Sequence, residues 1–289
     1  MSRLTSMSVD LLLSKQNRDG GWPYVRGASW TEPTVYAVLA LLAAGESQPA
    51  ERGLDWLRSR QLRDGGWPPQ AGFDESNWVT ALAALIPAGH LGEQAHARSI
   101  EWLMGTVGEE STLSYRVRRW LLGDPNPITD SAGWPWVKET ASWVTPTSLA
   151  ILALDKENSR RPDERLRKRI AAGRRYLVER MCLKGGWNHG SVRVYGAEGL
   201  PYPETTGLAL AALRGISGES VDLSIAVARR FLTACRSADA LNWLRVGLMA
   251  HRQLPPDYTP PELAYRTLTE TSLCMLAAET QKGREIFWS

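Results

Sequence analysis

Three glutamates stand at equivalent places in a repeated pattern, where a carboxyl group can do acid–base chemistry. The pattern is an Ala/Leu-rich stretch opened by threonine: TVYAVLALLA (34–43), TALAALIPA (80–88), TSLAILALD (147–155), TGLALAALRG (206–215) and TSLCMLAAE (271–279). Aligned on Thr34, Thr80, Thr147, Thr206 and Thr271, the residues two places earlier are Glu32, Trp78, Thr145, Glu204 and Thr269. One place earlier stand Pro33, Val79, Pro146, Thr205 and Glu270. Glu32, Glu204 and Glu270 are therefore expected where helices begin. An acid there also has a purely structural reading, because a helix N-terminus favours negative charge. Trp30, Trp78, Trp143 and Tyr202 lie near the same helix starts. Their ring faces can hold a cation, each worth roughly 0.5–2 kcal/mol, or can fill the gaps between helices.

The elements that must position these residues recur with them. Trp-bearing turns appear as DGGWP (19–23), DGGWPP (64–69), SAGWPW (131–136) and KGGWNHG (184–190). Paired glycines give the backbone freedom for a tight turn, and each Trp is placed to pack against the end of the helix before it. Amphipathic stretches carry an aromatic-Leu pair: RGLDWLRSRQ (52–61), ARSIEWLMGT (97–106), AAGRRYLVERM (171–181) and AVARRFLTACR (226–236). Their apolar residues fall at helical spacing, with Arg and Glu on the other face. The Thr-opened helices are apolar on nearly every face and must be buried all round. An outer amphipathic helix, a turn and an inner apolar helix thus repeat along the chain. Stacked, they predict an all-α fold, an α/α toroid of about six helix pairs in two concentric rings, forming one domain over 1–289. Two further helices, at 111–123 and 241–254, bring the number to about a dozen.

Composition excludes several classes. Acids and bases are intermixed with a net charge of +3, which leaves no nucleic-acid footprint. The run RRPDERLRKRIAAGRR (160–175) contains acids and reads as a solvated helix face. The three cysteines, Cys182, Cys235 and Cys274, make no disulfide framework and point to a reducing compartment. With no signal-peptide pattern and no apolar stretch near the ~20 residues of a membrane span, the chain is expected in the cytoplasm.

QNRDGGW (16–22) and QLRDGGW (61–67) resemble the QW repeats of the squalene/oxidosqualene cyclases and the prenyltransferase β-subunits. The resemblance runs over almost the whole chain, is strongest in the first two units, and implies the α/α toroid. Met181 stands where the fourth unit would carry Gln, and no Gln precedes the turn at Trp134. Class II cyclases of this group protonate an alkene or epoxide from a D-x-D-[D/T]-T type motif. The similar stretch here is YPETTGLAL (202–210), in which Glu204 matches the proton-donating acid and Thr205 and Thr206 the residues after it. Tyr202 replaces the first Asp. The resemblance therefore implies a Brønsted-acid Glu204 acting on a linear, apolar isoprenoid. Glu32, Trp30, Trp78, Trp143, Tyr202, Thr205 and Glu270 would line the site. No cofactor and no metal are implied, because no cysteine stands in the Asp-x-Cys pattern of the zinc-bearing prenyltransferases. LGEQ (91–94) has Leu91 where a thioester domain needs Cys. A glycosidase built on Asp74, Glu75 and Glu32 is a weaker reading. The alternative to a cyclase is a non-catalytic toroid that binds an apolar ligand or a partner protein, with peripheral membrane contact as a further expectation.

Overall fold

The computed structural model describes residues 3–112, 131–190, 193–194 and 197–288, with 114, 115, 117 and 121. The inner helices are α2 (Thr31–Ala44), α4 (Val79–Ala83), α7 (Val144–Arg160), α9 (Pro203–Ala212), α11 (Ala238–Ala250) and α12 (Leu268–Gln281). The outer ones are α1 (Arg3–Lys15), α3 (Ser47–Arg60), α6 (Glu93–Gly105), α8 (Glu164–Glu179) and α10 (Glu219–Ala234); α5 (Ala88–Leu91) is a single turn. Two short hairpins, β1–β2 (Trp134–Pro135 with Ser142–Trp143) and β3–β4 (Arg193–Val194 with Ala197–Glu198), are the only strands among the described residues.

Each inner helix packs on the next in the order α2, α4, α7, α9, α11, α12, and α12 returns to α2. The fold is all-α, a closed α/α toroid. Inner helices are wrapped on all sides, as their composition requires: in α2, every residue from Thr31 to Leu41 except Glu32 is buried.

Of the segment 241–254, expected as an additional helix, residues 241–250 belong to α11, the fifth inner helix, and 251–254 lie beyond its end. It lacks an opening Thr because Ser237 caps it instead, accepting from Ala240 N. The sixth outer position is not a helix. Residues 251–267 run there without regular structure, so the described residues give six inner and five outer helices rather than six full pairs. The expected helix at 111–123 lies largely outside the described residues.

The repeated turns are the stitches of the ring. Trp22, Trp67, Trp134 and Trp187 are fully buried between outer and inner helices. Their indole N–H groups donate to Leu12, Leu57, Leu103 and Leu177 carbonyls near the ends of the preceding outer helices, at 2.6–2.9 Å. Their backbone N–H groups donate to Thr34, Thr80, Thr147 and Thr206 Oγ1 at 2.8–3.0 Å, which explains the Thr that opens each of these helices. Gln16 and Gln61 each donate to a turn glycine carbonyl and to the start of the next outer helix (Gly20 and Pro49; Gly65 and Ala95). Where the third turn lacks this Gln, Arg169 serves. Its guanidinium lies 3.2 Å from the Trp134 ring centroid and donates to the Thr106, Ala132 and Gly133 carbonyls. The outer-helix aromatics are tied in too: Trp56 and Trp102 donate to Asp19 and Asp64 of the DGGW turns.

The chain two residues past each turn Trp then reaches a neighbouring inner helix. Thr31 N donates to Pro69 O, Trp78 N to Trp136 O, and Val144 N to His189 O. Leu268 N of α12 donates to Tyr24 O of the first turn at 2.8 Å, so the last inner helix is capped by the first repeat and the circle closes.

Candidate functional site

All inner helices start at one end of the ring, called the mouth below. A helix start leaves N–H groups unpaired, and Ser, Thr, Asp or Asn normally satisfies one of them from the N-cap. Four of the six inner helices break this rule. Their N-caps are Trp30, Trp78, Trp143 and Tyr202, none with a side-chain capping bond. The neighbouring turn carbonyls and the N-cap backbone carry the local structure, which frees four aromatic rings to stand around the mouth. Trp30 lies 5.6 Å from the Tyr24 ring, and Trp78 meets Trp136 edge-on at 4.9 Å. His189 lies between Trp143 and Tyr202, 6.3 and 5.2 Å from their rings. Trp143 and Tyr202 are 38% and 44% exposed, so this side of the mouth is open to solvent.

The carboxylates converge at the starts of α9, α11, α12 and α2. Glu32 and Glu204 occupy the second position of α2 and α9, and Asp239 has the same position in α11. Burial pushes the Asp239 carboxyl up to about 7, and the nearby negative charges of Glu32, Glu204 and Glu270 add to this. A helix N-terminus is worth only about 0.3–1 kcal/mol to an anion. A rise of roughly three pKa units corresponds to about 4 kcal/mol, so desolvation and like charge win over the dipole. Glu32 is also raised by burial, against the pull of the Tyr24 hydroxyl, which donates to it. Tyr36 is buried one turn below Glu32 and close to both Glu32 and Asp239, forming the floor. Asp239 thus keeps its proton to a far higher pH than an ordinary aspartate, in an acidic, aromatic-walled mouth.

The remaining expected site residues fall outside this constellation or have other work. Glu270 closes a capping box, accepting from Arg266 and Thr267 N while Thr267 Oγ1 accepts from Glu270 N. Thr205 is buried, with its hydroxyl donating to Trp187 O at 2.6 Å. Asp74 and Glu75 lie on an exposed loop. Among the described residues no group of three His, Cys, Asp or Glu side chains could hold a metal ion, and no helix is long and apolar enough to cross a membrane.

Asp239, Tyr24 and Tyr36 escaped the sequence reading. Asp239 was findable: counted from the N-cap, Ser237-Ala238-Asp239 matches Trp30-Thr31-Glu32 and Tyr202-Pro203-Glu204. The Thr alignment hid it, because α11 follows no Gly-Gly-Trp turn and needs no Thr.

No family model and no curated relative matches the chain. Solved structures do. A GH8 endo-β-1,4-glucanase from an Achatina fulica gut metagenomic library has a TM-score of 0.61 at 14% identity, covering 96% of this chain and 98% of that one. A GH76 α-mannanase of Bacteroides thetaiotaomicron gives 0.61 at 7%, covering 96% of each. A type II terpene cyclase from Scytonema, in complex with merosterolic acid A, gives 0.54 at 16%, covering 99% of this chain and 82% of that one. At these identities the likeness is one of fold. The α/α toroid is shared by enzymes with different chemistries.

Proposed function

We propose that the mouth is a general-acid site in which Asp239 protonates the oxygen of a breaking C–O bond and the surrounding groups stabilise the resulting carbocation. The observation that carries this reading is the half-buried Asp239 carboxyl at the start of α11, beside Glu32, Glu204 and Glu270, with its pKa raised to about 7. Such an acid is loaded at neutral pH but is weak for a bare alkene; an oxygen with lone pairs suits it better. A linear isoprenoid bearing a terminal epoxide fits the site best. Asp239 gives its proton to the epoxide oxygen, the C–O bond breaks, and the chain cyclises onto the cation. Loss of a proton to the Asp239 carboxylate ends the sequence and reloads the donor. The aromatic faces around the mouth would stabilise the cation. The Gln- and Trp-stitched turns support the cyclase side of the fold, since the resemblance to QW repeats rests on those residues. Asp239, rather than Glu204, is the donor in this reading.

A second reading has a specific observation behind it. The mouth is half-open, with Trp143 and Tyr202 exposed as flat platforms, and an acid near pKa 7 beside other carboxylates also suits glycosidic oxygen. The glucanase and mannanase share the toroid.

The test is incubation with linear isoprenoids of several lengths, each as alkene, terminal epoxide and diphosphate, with and without magnesium, and in parallel with β-1,4-glucan and α-mannan oligosaccharides. Products are read by mass spectrometry. Conversion of an epoxide to a cyclic isomer, reduced ~10²–10⁴-fold in Asp239→Asn, is the expected result. Sugar release with inert isoprenoids favours the second reading. Turnover of neither leaves the non-catalytic binding toroid.

A further inference from the structure

At the end of the ring opposite the mouth, a cavity of about 830 Å³ lies among the C-terminal ends of α9, α11 and α12 and the chain that follows each of them. Its volume is that of a small-molecule site. Trp288 makes one wall. It is buried, donates from Nε1 to the Ala211 carbonyl at 3.2 Å and packs on Phe287, which packs on Trp243. Ile216 and Met249 add apolar surface. The charged lining is basic, with Arg214, Arg252 and Arg284 against Glu285 among the described residues. Two of these arginines have structural work. Arg214 pairs with Glu285, and its guanidinium lies 4.9 Å from the Trp288 ring centroid. Arg284 donates to the Ala43 carbonyl near the end of α2 and lies 3.3 Å from Glu279.

Arg252 is different. The helices α2, α11 and α12 end in the same turn, in which one residue donates to the carbonyl three places back and the next to the carbonyl five places back. Gly45 and Glu46 donate to Leu42 and Leu41, Arg252 and Gln253 to Met249 and Leu248, and Gly283 and Arg284 to Thr280 and Glu279. The first residue of each pair is left-handed, with φ of 86°, 57° and 92°. Glycine adopts that conformation without strain, and α2 and α12 use it. In its place α11 carries an arginine, whose Cβ makes the conformation unfavourable. The Arg252 side chain is exposed and has no hydrogen-bond or ion-pair partner among the described residues. Backbone strain is thus kept for a guanidinium that the fold does not use, at the wall of a cavity. Such strain collects where ligands are held.

We propose that this cavity binds a small phosphate monoester, with Arg252 as its free anion contact and Trp288 as the platform for its apolar part. Four cations, Arg214, Arg252, Lys282 and Arg284, stand here against two carboxylates, Glu279 and Glu285. The excess of two positive charges matches a phosphate monoester, which carries about two negative charges near neutral pH. A guanidinium fork also fits phosphate oxygens in pairs. The acids of the mouth lie at the other end of the ring, so the proposal is independent of the reading given to them.

The probe is phenyl phosphate, titrated calorimetrically into the full chain at about pH 7.5 and low ionic strength, where surface charges are least screened. Inorganic phosphate, benzoate and phenol are titrated in parallel. Phenyl phosphate is expected to bind at least about tenfold more tightly than any of the three, since it alone offers both a dianion and a ring. Arg252→Gly should weaken that binding at least about tenfold. By relieving the left-handed strain it should also raise the melting temperature of the free protein by about 1–3 °C. Arg63→Ala, which removes an exposed arginine in the second Gly-Gly-Trp turn, should leave the affinity unchanged. No binding of phenyl phosphate, binding no tighter than that of inorganic phosphate, or equal binding by Arg252→Gly overturns the proposal. So does a loss of stability in Arg252→Gly, which would give the arginine a structural task after all.

Discussion

Asp239 sits at the same helix position as Glu204, half-buried, and has acidic neighbours on three other helices. Its raised pKa has a consequence for stability. Between about 4 and about 7 the folded protein holds a proton on Asp239 that the unfolded chain has released, so folding loses this contribution as pH rises through that window. Glu32, also raised, acts in the same sense. Asp239→Asn removes the penalty, and its melting temperature relative to wild type should climb from pH 5 to pH 8, by the equivalent of a few kcal/mol at most. A pH-independent difference would mean that Asp239 ionises normally in the fold. Glu204→Gln should act differently. It removes one negative neighbour, so the Asp239 pKa falls and the alkaline limb of the activity profile moves to lower pH while turnover survives. Loss of all turnover in Glu204→Gln, with Asp239→Asn still active, would return the donor role to Glu204.

Helices meet here through the Gly-Gly-Trp stitches and through one very close crossing. Trp67 is fully buried and bonded at both its nitrogens, so Trp67→Ala should cost about 3–5 kcal/mol of stability. Because it lies between the rings and away from the mouth, the folded variant should keep the activity of the wild type, as judged by turnover per folded molecule. Thr80→Val keeps the shape but strands the Trp67 N–H, and about 1–3 kcal/mol in chemical denaturation is expected. Gly207 of α9 faces Gly247 of α11, and a Cβ on Gly207 would overlap the backbone of Trp243 and Leu244. Gly207→Ala must push apart the two helices that carry Glu204 and Asp239. It should therefore lower both the melting temperature and the Asp239 pKa, since the acids separate. An unaltered titration would show that α9 and α11 do not set the mouth together.

At the scale of the whole molecule, closure distinguishes this ring from an open stack of repeats. An open array unfolds from its ends and loses cooperativity as it lengthens. Here the last inner helix rests on the first and takes its backbone bond from the first turn, so no inner helix is an end. Equilibrium unfolding in urea, followed by far-UV circular dichroism and by Trp fluorescence, should give one coincident transition. Probes that separate, with one part of the ring melting first, would argue against a closed cooperative unit. The segment 251–267 is the place to look for an early step, since it covers α11 and α12 without a helix of its own.

The repeat was legible in the residues because it is made of local chemistry: glycines for tight turns, Trp for the gap between rings, Thr to receive the Trp N–H, and alanines for helices buried on every side. These alone predict an all-α toroid and place Glu32 and Glu204 at helix starts. α11 was harder to read, because a helix capped by Ser237 and preceded by no Trp turn carries none of those marks. The sixth outer helix was inferred from regularity, and the chain in that place has Pro255, Pro256, Pro260 and Pro261, which deny helical N–H donors. What the sequence could not decide is which helix starts converge. A carboxyl's proton affinity depends on its burial and on charges brought from distant parts of the chain. Glu32, Glu204, Asp239 and Glu270 become neighbours only when the ring closes, and only then is the proton affinity of Asp239 raised.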